Sequence, residues 1–134
     1  MTAPALDAVR LSIHVLAATI WVGGQFTLAG LLPTLRSLGE DAPRRAARAF
    51  ARIQWPAYFV LLLTGAWNIA ASHPDKKGHV WNAVLGVKIG VVLLAGVAAA
   101  VHQRSKSKAM LAAFGAVASL ASLAALCLGV VLAG

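Results

Sequence analysis

The stretch AMLAAFGAVASLASLAALCLGVVLAG, residues 109–134, contains no charged side chain and decides the fold class. A helix crosses a hydrocarbon core of about 30 Å with about 20 residues, and this stretch is longer than that. Lipid offers no partner to backbone groups, so a crossing segment must be helical or belong to a closed barrel. The strict alternation of a barrel strand is missing here. The stretch therefore predicts a membrane-spanning helix.

Three more stretches of the chain are equally poor in charge. Residues 11–35 and 53–74 contain no Asp, Glu, Lys or Arg, and residues 78–103 contain only Lys88. The chain is 60% hydrophobic and 12% charged, against about a quarter charged in soluble domains, which excludes a soluble enzyme. We predict an all-α integral membrane four-helix bundle that forms a single membrane domain. Its spans are expected near residues 8–32, 43–72, 79–103 and 108–132.

Basic residues are divided unevenly between the two ends of these spans. The segments after the first and third spans hold eight Lys and Arg residues: Arg36, Arg44, Arg45, Arg48, Arg52, Arg104, Lys106 and Lys108. The opposite ends hold Arg10, Lys76 and Lys77. The positive-inside rule therefore predicts that both termini lie on the outer side. We expect a multi-pass protein of a bacterial inner or plasma membrane. We interpret the net charge of +8 as topology and contact with anionic membrane lipids, with no nucleic acid partner.

Two ionisable residues lie inside the predicted spans, His14 in the first and Lys88 in the third. A centred lysine costs at least ~2.5 kcal/mol to insert, so such residues are functional candidates. From the predicted helix ends, both lie about 9–14 Å below the outer boundary. No span contains an acidic residue, so Lys88 is expected to meet water, another subunit, Asp7 or Asp75 at the rim, or a ligand. The alternative is that its long stem reaches the outer surface.

Helical spacing adds three candidates around these two residues. His14, Trp21 and Gln25 share one face of a regular first helix. An aromatic and amide stripe beside a histidine suits a flat apolar cofactor such as haem, and it suits ordinary helix packing equally well. Arg10, at the outer side, is placed to contact the propionates of such a cofactor.

Three short segments resemble the CopD-domain family and the related HemJ-type protoporphyrinogen oxidases. HVLAATIWVGG at residues 14–24 resembles their first helix. FARIQWP at residues 50–56, continuing to LLLTG at residues 61–65, resembles their second helix. GVKIGVV at residues 86–92 resembles the segment that holds the intramembrane lysine of these families. The resemblance covers most of residues 8–103.

In HemJ-type proteins the matching histidine and lysine are associated with axial ligation of a b-type haem. The resemblance therefore implies haem b bound by His14 and Lys88. Together with the spacing of Trp21 and Gln25 and the outer position of Arg10, it predicts that these three residues surround the haem, which exchanges electrons with a lipophilic redox partner. The HemJ pattern has a further histidine where this chain has Ala99. The first-helix motif is closer to CopD, so an oxidoreductase activity like that of protoporphyrinogen oxidase stays open.

Two other functions remain compatible with the sequence. The CopD name implies copper, and His14, His73 and His79 would supply an outer-side copper(II) site. Copper(I) pathways use thiolate and thioether ligands, which are scarce here apart from Cys127 and two methionines. The second alternative is a cofactor-free structural subunit of a larger membrane complex. Small residues in the last two spans also permit a homo-oligomer.

Overall fold

The computed structural model describes residues 2–134, and their regular structure is entirely helical. The elements are α1 (Ala3–Ala18), a π-helical turn (Thr19–Gly23), α2 (Gly24–Leu38), α3 (Ala42–Ser72), a 3-10 turn (Pro74–Lys76), α4 (His79–Arg104) and α5 (Lys108–Ala133). Because α1, the π-helical turn and α2 are continuous, the chain has four long helical segments. No strand occurs in the described residues. The predicted all-α class with four helices is confirmed.

The chain forms two compact units, of which one ends at His73 and the other begins at Pro74. The first unit pairs the continuous helix Ala3–Leu38 with α3, and the second pairs α4 with α5. Three helices in the described residues are long and apolar enough to cross a membrane, namely Ala3–Leu38, α4 and α5. The arginine-rich start and the polar Gln54 and Asn68 lower the apolar character of α3. That α3 crosses the membrane therefore stays a prediction.

The first helix is longer at both ends than predicted. It begins at Ala3, where a proline in the first turn suits a helix start. Pro33, one residue past the predicted end of this span at residue 32, lies inside α2. The helix ends instead at Gly39, whose φ of 146° is a conformation that glycine adopts without steric penalty. Pro43 lies in the first turn of α3, a position that proline favours.

The second unit is a helical hairpin with small residues at its interface. The buried residues are Ala95, Gly96, Ala98 and Ala99 on α4, with Ala118, Ala121, Ser122 and Ala125 on α5. Small side chains allow two helix backbones to approach closely, which favours helix association in lipid. A three-residue connection joins the helices, and the Ser107 side chain accepts a hydrogen bond from the Met110 backbone N–H at 3.2 Å. His102 Nδ1 lies 2.7 Å from the Leu111 carbonyl oxygen at the same end of the hairpin.

Large apolar side chains remain exposed along the helices of both units. Leu63, Val80 and Val130 have exposed fractions of 73%, 79% and 67%. A soluble monomer seldom leaves so many large apolar side chains in water. These surfaces fit helices that face lipid.

Candidate functional site

His14 is held by a residue of α3 within the first unit. Its Nδ1 atom lies 2.7 Å from Thr64 Oγ1, and Thr64 Oγ1 donates to the Val60 carbonyl oxygen at 2.6 Å. A hydroxyl has one proton, so Thr64 Oγ1 accepts from His14 Nδ1–H. The lone pair of the ring is therefore on Nε2. Histidines that bind a metal commonly have one ring nitrogen fixed by a hydrogen bond in this way, and the other ring nitrogen is then the ligand atom.

Lys88 lies half-buried against α5 within the second unit. A Cβ atom placed on Gly129 would stand 2.9 Å from Lys88 Nζ and 3.6 Å from Lys88 Cε, so the amine rests where α5 has no side chain. Among the described residues of its own unit, Lys88 makes no hydrogen bond or ion pair. Asp75, one of the predicted rim partners, does not pair with it there. The nitrogen is therefore not committed to a partner within its hairpin.

Gly129→Ala is expected to displace the Lys88 amine and leave the hairpin folded. The added methyl meets only the flexible end of the lysine side chain, and alanine favours a helix over glycine by about 0.5–1 kcal/mol. Amine-specific labelling followed by mass spectrometry should show faster modification of Lys88 relative to Lys76. Gly90→Ala is the matched control, because a Cβ there meets nothing within 4 Å. Equal labelling in both variants would show that Gly129 does not position the amine.

Trp21 belongs to a buried aromatic cluster of the first unit. It is 3% exposed, and its ring centroid lies 4.5 Å from that of Tyr58 and 5.7 Å from that of Trp55. The predicted stripe of His14, Trp21 and Gln25 assumed a regular α-helix, and that assumption is wrong. The π-helical turn lies between His14 and Gln25 and takes more residues per turn than an α-helix. The contact of Trp21 and Gln25 with a cofactor stays a prediction.

Side-chain donors satisfy the backbone around the π-helical turn. Thr19 Oγ1 donates to the Val15 carbonyl at 2.8 Å, and Gln25 Nε2 donates to the Trp21 carbonyl at 2.8 Å. Thr27 Oγ1 bonds the Gly23 carbonyl at 2.8 Å. Within lipid, an irregular helix is tolerated where side chains bind the carbonyl groups that it frees. These three polar residues lie in an apolar run because their side chains bind backbone carbonyl groups. Residue spacing alone does not reveal this structural role.

Arg10 is fixed in place within the first unit. Its Nη1 atom lies 2.9 Å from Asp7 Oδ1, and the guanidinium carbon stands 5.9 Å from the centre of the Trp67 ring. Arg10 Nε is buried and has no hydrogen-bond partner in the described part of the chain. One donor of this arginine is therefore left for a further acceptor. Its predicted role at a haem propionate stays a prediction.

The two segments that carry the first half of the family resemblance pack directly on each other. Trp21 meets Trp55 in the aromatic cluster, and Gly24 lies against the ring of Phe50. A Cβ atom on Gly24 would overlap the ring carbons of Phe50. The glycine is thus required by a close approach of α2 to α3.

Gly24→Ala is expected to destabilise the first unit by about 1–2 kcal/mol, because overpacking a close contact forces side chains or backbone to move. Unfolding of the purified protein in mixed micelles of mild detergent and sodium dodecyl sulfate measures this change. Gly23→Ala is the adjacent control, since a Cβ there meets nothing within 4 Å. A Gly24→Ala protein as stable as the Gly23→Ala protein would contradict the contact.

The first-helix boundary changes the estimate of depth. Because α1 begins at Ala3, His14 lies eleven positions from the helix start, about 16 Å along the axis. Lys88 lies nine positions after His79, about 14 Å along α4. The first helix therefore starts five residues before the span predicted for it, so the distance from the helix start does not give the depth of His14 in the membrane. The equal depth of the two residues stays a prediction.

The histidines of the copper alternative are distributed along the chain. His73 ends α3 with a left-handed backbone, φ 51°, and His79 is the first residue of α4. Both side chains are exposed. In residues 2–134 no group of three or more His, Cys, Asp or Glu side chains is placed to hold a metal ion.

Comparison with protein-family models, with curated proteins and with solved structures finds no match to this chain. The resemblance to the CopD and HemJ families therefore stays an expectation.

Two site residues were not expected from the sequence. Thr64 is fifty positions from His14, and its only signals are its place in the LLLTG segment at residues 61–65 and its hydroxyl inside an apolar run. Nothing in the sequence marks Gly129 as a site residue, because its importance depends on where the Lys88 side chain lies.

Proposed function

We propose that this chain is a multi-pass membrane protein with outer-side termini that binds one b-type haem through His14 and Lys88. The observation that carries the proposal is the hydrogen bond between His14 Nδ1 and Thr64 Oγ1 at 2.7 Å. It gives the imidazole the tautomer in which Nε2 is the ligand atom. It also fixes the ring orientation, as the outer partner of a metal-binding histidine does.

The chemistry of Lys88 supports the second half of the proposal. Its nitrogen has no hydrogen bond or ion pair among the described residues of its hairpin, and the side chain is half-buried. Ionisable groups inside a membrane are costly and are characteristically found at functional sites. A neutral amine has the lone pair that an axial ligand requires. The donor set of one imidazole and one amine therefore fits haem iron.

Bound haem would supply one-electron transfer, whereas the protein would supply binding, orientation and the surrounding electrostatics. His14 and Thr64 would fix one ligand nitrogen, and the Gly129 niche would position the other. Trp21, Gln25 and Arg10 are proposed to lie around the cofactor. A site within the membrane is accessible to a lipophilic partner such as a quinone, which we propose as the class of electron donor or acceptor. The Ala99 position makes porphyrinogen oxidation a less direct inference than haem binding.

The proposal is tested by purifying the chain in mild detergent from cells supplied with haem. Reduced-minus-oxidised absorption spectra and metal analysis are then recorded on the same sample. We expect a Soret band, a sharp α band and close to one haem per chain. A colourless sample with stoichiometric copper would favour the copper alternative. A colourless and metal-free sample would favour the structural subunit and overturn the proposal.

A further inference from the structure

The helix α3 is longer than a membrane crossing requires. It contains 31 residues, from Ala42 to Ser72, and therefore extends about 46 Å. The hydrocarbon core is about 30 Å thick, so roughly ten residues extend beyond it. The arginine-rich residues 44–52 occupy this end of the helix. This segment is therefore placed at the level of lipid headgroups if residues 53–72 cross the core.

Three arginines of this segment lie on one helix face. Arg45, Arg48 and Arg52 follow each other at intervals of three and four residues, and together with Ala49 they line one open groove. All three are exposed, and none is ion-paired with a residue in the described range 2–134. The opposite face holds Phe50, which packs against α2. The groove thus lies on an end of α3 that is held in place by the packing of Phe50 against α2.

The same face becomes apolar as it continues along the helix. Pro56, Phe59 and Leu63 follow Arg52 at intervals of four, three and four residues. All three are exposed, with exposed fractions of 58% for Phe59 and 73% for Leu63. The step from Arg52 to Leu63 covers eleven residues, or about 16 Å. One surface of the first unit is therefore cationic at one end and apolar along the rest.

We propose that this surface, the α3 lipid stripe (Arg45, Arg48, Arg52, Pro56, Phe59 and Leu63), binds one anionic phospholipid. The phosphate contacts the three guanidinium groups, which form paired hydrogen bonds with phosphate oxygens. An acyl chain lies along the apolar residues. A zwitterionic phospholipid carries no net charge to match the three unpaired cations. The arginines complement the charge of an anionic headgroup, and the apolar residues that follow them directly accommodate an acyl chain. Together they favour an anionic lipid.

The test uses the full-length chain and native mass spectrometry after extraction into detergent, with phosphatidylglycerol or phosphatidylcholine added in known amounts. The unmodified chain is expected to keep one phosphatidylglycerol molecule in preference to phosphatidylcholine. Each arginine near a membrane surface contributes about fivefold to binding. The variant with Arg45→Gln, Arg48→Gln and Arg52→Gln should therefore bind phosphatidylglycerol about a hundredfold more weakly.

A matched control removes the same charge elsewhere on the predicted inner side, through Arg36→Gln, Arg104→Gln and Lys106→Gln. This control should keep most of the affinity, and circular dichroism should show both variants to be fully helical. Equal loss of phosphatidylglycerol from both variants would overturn the proposal, since it would reflect net charge alone. Equal binding of phosphatidylcholine would also overturn it. Displacement of the lipid by inorganic phosphate at equal concentration would show a free-phosphate site without recognition of the apolar tail.

Discussion

Replacing His14 with alanine, or Lys88 with methionine, is expected to yield folded protein that has lost its haem. Each substitution removes one of the two proposed axial nitrogens and leaves the helical pairing of its own unit in place. Loss of an outer partner of a metal ligand already costs roughly 10- to 100-fold in affinity, and loss of the ligand itself should cost more. Haem per chain, measured as the pyridine complex after purification, reports the result.

Matched controls for these variants are available at Lys76, outside the predicted spans, and at His79, the first residue of the third predicted span. His79→Ala and Lys76→Met change exposed residues of the same types, and both should retain the haem content of the unmodified chain. The copper alternative predicts instead that bound copper is sensitive to changes at His73 or His79 and insensitive to a change at Lys88. Full haem content in both the His14→Ala and the Lys88→Met proteins would exclude these residues as ligands.

Thr64→Val is expected to weaken haem binding about 10- to 100-fold without removing any ligand atom. Valine has nearly the shape of threonine but has no oxygen to accept the hydrogen bond from His14 Nδ1–H. The imidazole then loses both its fixed orientation and its preferred tautomer. Transfer of haem from the purified protein to an excess of apomyoglobin measures the change in retention.

Thr64→Ser separates this positioning role from a general packing role. Serine retains the hydroxyl and loses only a methyl group, so haem retention should return close to that of the unmodified chain. The absorption spectrum of the Thr64→Val protein should also shift, because the ligand field depends on the imidazole orientation. Haem retention in Thr64→Val equal to that of the unmodified chain would show that this hydrogen bond does not prepare His14 as a ligand.

The helices were predictable because charge is excluded from lipid and long uncharged stretches are easily recognised. The predicted stretches near residues 43–72, 79–103 and 108–132 agree with α3, α4 and α5 to within about one residue. The first helix continues past its predicted end and contains Pro33, since an internal proline is tolerated in a membrane helix whose neighbours satisfy the backbone. The π-helical turn was not predicted, because counting residues along the sequence assumes a regular α-helix throughout.

The candidate site was predictable only in part. His14 and Lys88 stand out because each is an ionisable residue in an otherwise apolar segment. Thr64 and Gly129 do not, because their roles arise only after two helices pack and bring distant positions together. The regular helix assumed for the face of His14, Trp21 and Gln25 was wrong for a related reason, since residue counting does not detect a π-helical turn.

The central claim, that Lys88 and His14 both bind haem iron, is tested most directly by pulsed electron paramagnetic resonance of the ferric protein. The chain is produced with nitrogen-15 only at the lysine Nζ atoms, and a second sample carries the label only in histidine rings. We predict a strong nitrogen-15 coupling to the iron in both samples, and its loss from the lysine-labelled sample in Lys88→Met. A ferric haem signal without any lysine coupling, or one that persists in Lys88→Met, would contradict the claim.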